Sequence, residues 1–122
     1  SDPRKTGPIY YMIEDMEKLA DYYKYICNYL YKIKDKNVKI GKDVIGVYIK
    51  TNEMLKDFYE LFYKFDKIKL VKIANTRKDI VEEAYKIFEK NKKPVDTILT
   101  HNLFIISQKI FCFLGPYLVI NL

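Results

Sequence analysis

One repeat of apolar side chains, in residues 9–33, constrains the fold of this chain more than any other feature. Its successive members are separated by three, four, three, four, three, four and three residues, which is the period of one face of an α-helix. Acidic residues lie toward its start and lysines at its end, as the helix dipole favours. The sequence therefore predicts a long amphipathic helix. The members of the stripe are Ile9, Met12, Met16, Leu19, Tyr23, Ile26, Leu30 and Ile33.

The same spacing is also typical of helices that pair with each other, within a chain or between chains. Tyr22, Tyr25 and Tyr29 lie beside the stripe and widen its apolar face. Tyrosine suits a half-buried position because its ring packs while its hydroxyl stays solvated. The stripe therefore predicts either a helix packed on the chain's own core or an interface with a partner. The residues of this predicted partner interface are Met12, Met16, Leu19, Tyr23, Ile26 and Leu30.

Residues 43–65 fit two secondary structures. Valine, isoleucine and Gly46 favour a strand at 44–50, followed by a helix from residue 53. Alternatively, one long helix begins at Asp43, which would then be its N-cap. The second half of this stretch is helical under both interpretations.

A change of period predicts a strand at 67–74 followed by a helix at 79–90. Residues 75–78 would then lie at a helix N-terminus, where free backbone N–H groups attract an anion. Thr76 is a competent N-cap, and Arg77 would add a long cationic side chain. The junction therefore predicts a capped helix start that can also hold a phosphate.

The C-terminal stretch is rich in β-forming residues and predicts strands near 96–106, 109–114 and 117–122, with a turn at Gly115-Pro116. A helix over 96–113 is the alternative, because short apolar runs do not distinguish a strand from a buried helix. The predicted fold class is α+β: a long N-terminal helix packed on a small mixed sheet with two further helices. An all-α fold is the alternative. Residues 8–122 are expected to form this single domain after a flexible leader at 1–7.

The chemistry-bearing residue types are too sparse to predict an enzyme. His101 is the single histidine of the chain, and none of its four glycines forms a phosphate-binding loop. We therefore expect no catalytic activity, no metal and no cofactor. Cys27 and Cys112 lie among apolar residues, which predicts buried thiols in a reducing, cytoplasmic compartment, with a disulfide as the alternative. No apolar run reaches ~18 residues, so no membrane span is expected.

Basic residues offer the main functional prediction. The chain carries a formal net charge of +6, which permits binding to nucleic acid or an anionic membrane surface, although a base-composition bias of the genome would also enrich lysine. Lysines act as a site only if the fold gathers them on one face, because phosphate contacts act collectively. The predicted nucleic-acid-binding residues are Lys39, Lys42, Arg77, Lys78, Lys90, Lys92 and Lys93.

The run KIGK at 39–42, followed by a long helix, a strand that ends at Ala74 and a loop with Arg77, resembles the Alba family of small nucleic-acid-binding proteins. The resemblance implies a β-α-β-α-β-β domain, often dimeric, in which Lys42 and Arg77 contact nucleic acid. Asp43 departs from the family pattern, which has a second lysine there.

Together these patterns predict a non-enzymatic nucleic-acid-binding module that contacts the backbone phosphates of RNA or non-specific DNA through basic loops. The alternative is a protein–protein interaction or assembly module that pairs through the 9–33 helix. The first function requires that Lys42, Arg77 and Lys92 converge on one surface.

Overall fold

The computed structural model describes residues 3–90 and 93–121, which form five α-helices and no strand. The predicted α+β class is therefore wrong, and the all-α alternative describes the fold. The helices are α1 (Pro3–Lys32), α2 (Lys42–Leu61), α3 (Lys67–Lys90), α4 (Pro94–Cys112) and α5 (Leu114–Asn121).

α4 is the centre of the molecule, and each of the other helices packs against it. α2, α3 and α4 also pack on one another, whereas α1 packs on α4 and α5. α2 begins beside the start of α4, where the Gly41 N–H donates to the Asp96 carboxylate. α1 and α3 also finish there. We call this the lysine-rich end of the molecule, because Lys39, Lys42, Lys90 and Lys93 lie near it.

α4 forms where the sequence predicted strands at 96–106 and 109–114, and α5 occupies residues 117–121 of the strand predicted at 117–122. Leu122 lies outside the described residues. The buried apolar residues of α4 are separated by four, four, three and four residues, which is a helical period. This period is hard to read in the sequence, since Ile98, Phe104 and Ile105 add apolar residues between these positions and three polar residues of α4 are also buried. The buried residues are Val95, Leu99, Leu103, Ile106 and Ile110.

The predicted turn at Gly115-Pro116 is also wrong. These residues lie in the first turn of α5, which follows α4 almost without interruption. Proline is tolerated there because the first N–H groups of a helix have no intrahelical acceptor. Tyr117 in α5 is buried, and its hydroxyl donates to the Leu61 carbonyl at 2.7 Å.

The structure corrects two further strand predictions. The strand at 44–50 is wrong, and the alternative of one long helix is right, with Gly41 rather than Asp43 as the N-cap. The strand at 67–74 is wrong because α3 is one helix from Lys67 to Lys90. Apolar side chains on the solvent side of α3, such as Ile68, obscure the helical period of its buried face.

α1 is the helix that the stripe predicts, and it also includes residues 3–7, which the sequence assigned to a flexible leader. Met12, Leu19 and Ile26 are its buried apolar residues, and they point into the common core of the bundle.

A candidate binding groove between α1 and α2

The candidate site is a groove with α4 as its floor and with α1 and α2 as its walls. It exists because α1 and α2 both pack on α4 while their backbones stay apart among the described residues. Tyr23 of α1 crosses the groove and its hydroxyl donates to Asn52 Oδ1 of α2 at 2.9 Å. Burial raises the pKa of Tyr23 to about 12, with a smaller contribution from Tyr48, so the bridging phenol stays protonated and able to donate.

The α1 wall carries a second apolar stripe, which is exposed. Ile13 is 52% accessible, and Ile9 and Met16 are also exposed. Residues 9 and 27 are separated by five helical turns, so this stripe shares a face with Cys27, which lines the groove. We call these residues the outer stripe of α1: Ile9, Ile13, Met16, Ala20, Cys27 and Tyr31.

The α2 wall is also apolar and aromatic. Tyr48 and Ile45 line the groove at the lysine-rich end. Tyr59 follows Ile45, and Phe62 follows Tyr48, by about four helical turns on the same flank, and both are exposed. Phe62 is the C-cap of α2. Both walls therefore offer apolar surface to a ligand or partner.

At the lysine-rich end the groove deepens into a cavity of about 260 Å³. The sequence prediction missed this cavity, since its lining comes from three helices and one loop. Most of the lining is aliphatic. Representative lining residues are Ile26, Leu30, Ile40, Val44, Leu99 and Leu103.

The predicted partner-interface residues divide between the core and the surface. Met12, Leu19 and Ile26 are buried within the chain, and Tyr23 is half-buried. Met16 and Leu30 are exposed. The stripe that the sequence singled out is therefore largely the inner face of α1, whereas the outer stripe beside it is accessible.

The predicted nucleic-acid-binding residues also divide. Lys39, Lys42, Lys90 and Lys93 are exposed near the lysine-rich end. Lys93 lies 3.9 Å from the Asp96 carboxylate. Lys92 lies outside the described residues.

Arg77 and Lys78 are not part of this lysine cluster. Arg77 precedes Lys90 by thirteen residues of α3, which is about 20 Å along a helix. Its guanidinium donates to Gln108 Oε1 at 3.1 and 3.2 Å and lies over the Phe111 ring at 4.7 Å. The predicted phosphate site at 75–78 is wrong, because these residues lie inside α3 and not at a helix N-terminus.

The two helix starts at the lysine-rich end already hold carboxylates of the chain itself. Asp96, which is buried, accepts the Gly41 N–H at 2.9 Å, and Asp43 Oδ1 accepts the Val44 N–H at 2.9 Å. These carboxylates satisfy helix N-termini that would otherwise attract an external anion.

Cys27 and Cys112 are free thiols, and both are exposed, so the prediction of buried cysteines is wrong. Cys27 belongs to the outer stripe, beside the face of α1 that packs on α4. No group of three or more histidine, cysteine, aspartate or glutamate side chains in the described ranges could hold a metal ion.

Pro94–Asn121, which spans α4 and α5, is long and apolar enough to cross a membrane by length and composition, and 33% of its most apolar window is buried in the fold. A core helix of a bundle passes the same test. The absence of a membrane span stays a prediction.

These features define a small helical bundle with an open apolar groove. Comparison with protein-family models, curated proteins and solved structures finds no match to this chain. The sheet that the resemblance to the Alba family implies does not form in the part of the chain that the structure describes.

Proposed function

We propose that the protein is an assembly module that pairs with a second copy of itself through the outer stripe of α1. One observation carries the proposal: α1 presents two apolar stripes at helical period, and its own fold buries only one of them. Exposed apolar surface that continues along an element is characteristic of an interaction site.

The shape of α1 supports pairing with an identical chain. A stripe on one side of a helix can pack against the same stripe of a second copy about a two-fold axis, which is the commonest symmetry of soluble oligomers. α1 has 30 residues, so it extends about 45 Å. That length is sufficient for an interface of roughly 800 Å² per partner.

The direct test places a charge in the outer stripe. In Ile13→Glu, a carboxylate replaces an exposed apolar side chain at the proposed contact, and we expect the dimer dissociation constant to rise at least about tenfold, because burying an unpaired charge is costly. Sedimentation equilibrium measures the constant. The matched control is Val71→Glu, because Val71 is similarly exposed, at 57%, on α3, which does not line the groove.

A wild-type chain that stays monomeric at all accessible concentrations would contradict the proposal. So would a dimer that Ile13→Glu leaves intact, or one that both variants weaken equally. Circular dichroism of each variant establishes that the helices persist.

A second candidate function is polyanion binding at the lysine-rich end, supported by the exposed Lys39, Lys42 and Lys90 there. We expect Lys39→Gln/Lys42→Gln to weaken binding of single-stranded RNA, whereas Lys78→Gln, midway along α3, leaves it unchanged. Fluorescence anisotropy at two salt concentrations provides the measurement. Affinity that does not fall with salt would exclude phosphate contacts as its source.

Salt separates the two candidates because it acts on them in opposite directions. Each copy carries a formal net charge of +6, so screening should strengthen self-association and weaken polyanion binding.

A further inference from the structure

We infer that the cavity at the lysine-rich end of the groove binds the aliphatic chain of a free medium-chain fatty acid, with the carboxylate directed to Lys39 and Lys42. This inference does not require self-association. The cavity shares Cys27 with the outer stripe, so the test below distinguishes a bound ligand from a second copy.

The size of the cavity fits such a ligand. An apolar cavity of about 150 Å³ binds benzene, and the cavity between α1, α2 and α4 measures about 260 Å³. It is open on one side, so a chain can enter it from solvent. A flexible alkyl chain fills such a space more completely than a rigid ring, because its torsions adapt to the walls.

The lining selects an apolar ligand rather than a polar one. Leu30, Leu99 and Leu103 contribute aliphatic side chains from two helices. The lining contains two tyrosines. The Tyr23 hydroxyl is already bonded to Asn52, and Tyr48 is an exposed side chain. A sugar or nucleotide would have to leave its polar groups without partners against such a wall, at considerable cost.

Charge at the rim selects an anionic headgroup. Ile40 lines the cavity, and Lys39 and Lys42 flank it in sequence with exposed side chains. Asp43 and Asp96 also lie there, but Asp96 is buried and lies 3.9 Å from the cationic Lys93, so lysines outnumber carboxylates at this end. A carboxylate at the mouth therefore meets lysines, while the alkyl chain displaces water from the aliphatic walls.

Cys27 is a built-in reporter of occupancy, since its exposed thiol lines the cavity. In Cys112→Ser, decanoate should slow the reaction of Cys27 with a thiol-reactive dye in a saturable manner, whereas acetate should not. The matched control is Cys27→Ser, in which the remaining Cys112 lies at the other end of α4 and should react at the same rate with or without decanoate.

Two sets of variants test the two parts of the inference. Leu103→Phe fills the cavity from its floor, and Cys27→Trp fills it from an exposed position that does not threaten folding. Isothermal titration calorimetry measures decanoate binding in both variants. Both should abolish decanoate binding. Lys39→Gln/Lys42→Gln should weaken decanoate binding by about tenfold and leave decanol unchanged, with Lys78→Gln as the control.

Absence of protection at Cys27, or equal protection of both cysteines, would overturn the inference. Equal binding of decanoate and decanol would overturn the assignment of the carboxylate to the lysines. The reaction is also followed in Ile13→Glu, so that protection of Cys27 by a second copy is distinguished from protection by the ligand. Failure of self-association therefore leaves this test intact.

Discussion

Asp96 joins two helix starts through a single side chain. It is 1% exposed, and it accepts the N–H of Gly41, which precedes α2, although it belongs to the first turn of α4. A Cβ on Gly41 would lie 2.6 Å from Asp43 Oδ1 and 2.9 Å from Asp96 Oδ2. The half-buried Asp43 can rotate away if it gives up its hydrogen bond to Val44, but the buried Asp96 has no such freedom. Position 41 therefore requires glycine, because a Cβ there would lie too close to the Asp96 carboxylate.

We expect Gly41→Ala to lower the free energy of unfolding by about 1–3 kcal/mol, because the displaced Asp96 loses a charge-assisted hydrogen bond in a buried position. Urea denaturation measures the change. Gly46→Ala is the matched control, since Gly46 is inside α2 with nothing within 4 Å of a new Cβ. It should stabilise the protein by about 0.5–1 kcal/mol. Effects of the same sign would contradict this account of position 41.

At the scale of elements, charged side chains connect α2 to α3. Lys72 of α3 lies 2.8 Å from Glu53 and 3.1 Å from the buried Asp57, and Lys69 pairs with Glu60. Hydrogen bonding to the lysines holds the pKa of Glu53 and of Glu60 below 4.5. The same bonds raise the pKa of Lys69 and of Lys72 above 10.5.

These shifts predict a stability plateau between acid and alkaline limits. The lowered carboxyl pKa values contribute stability that is present above 4.5 and is lost as the pH falls below it. The raised lysine pKa values contribute stability that is present below 10.5 and is lost as the pH rises beyond it. We expect the urea concentration at the unfolding midpoint to fall less steeply as the pH is lowered in Glu53→Gln/Glu60→Gln than in the wild type.

The control for this prediction is Glu17→Gln/Glu82→Gln, which removes two exposed carboxylates elsewhere on the surface. It should retain the wild-type acid dependence. An identical profile for both double variants would show that the α2–α3 ion pairs contribute nothing to acid stability.

α3 is one continuous helix across residues 75–78, and substitution at Asn75 tests this. Asn75 is exposed, so Asn75→Ala should stabilise the protein by about 0.5 kcal/mol through helix propensity. Asn75→Pro should destabilise it by about 3 kcal/mol or more. Thermal unfolding checks both. A loop at this position would tolerate proline and gain nothing from alanine.

At the scale of the whole molecule, stability depends on α4 because every other helix packs on it. Ile106 is completely buried in α4, and Ile106→Ala should cost roughly 2–5 kcal/mol through lost burial and the resulting cavity. Ile49→Ala, at an exposed position of α2, should change stability by less than about 0.5 kcal/mol. If calorimetry showed comparable losses of stability for Ile106→Ala and Ile49→Ala, the central position of α4 would be contradicted.

The distribution of side chains over the molecule is also uneven. Lys39, Lys42 and Lys90 lie near one end, whereas exposed Phe62 and Tyr63 lie at the opposite end, where α2 finishes. The sequence predicted a basic surface that included Arg77, but the fold directs Arg77 to Gln108 and Phe111. Which cations share a surface was therefore decided by helix packing.

The sequence by itself determined α1 and the second half of α2, because each buries one face and leaves the other in water. The period of their apolar residues is consequently visible along the chain. The sequence also determined the net charge and the lack of recognisable catalytic motifs.

Only the tertiary structure decided the helical state of residues 96–121, since α4 carries further apolar residues outside its buried face and buries three polar ones, which together blur the helical period in its sequence. It likewise decided that α3 continues through 75–78, because exposed apolar residues before that stretch, Ile68 and Val71, obscure the helical period of the sequence. The groove itself could not be predicted, because it is the space between helices that pack on a common neighbour and not on each other. Local patterns describe the faces of single helices, whereas the gap between two helices depends on how all of them pack.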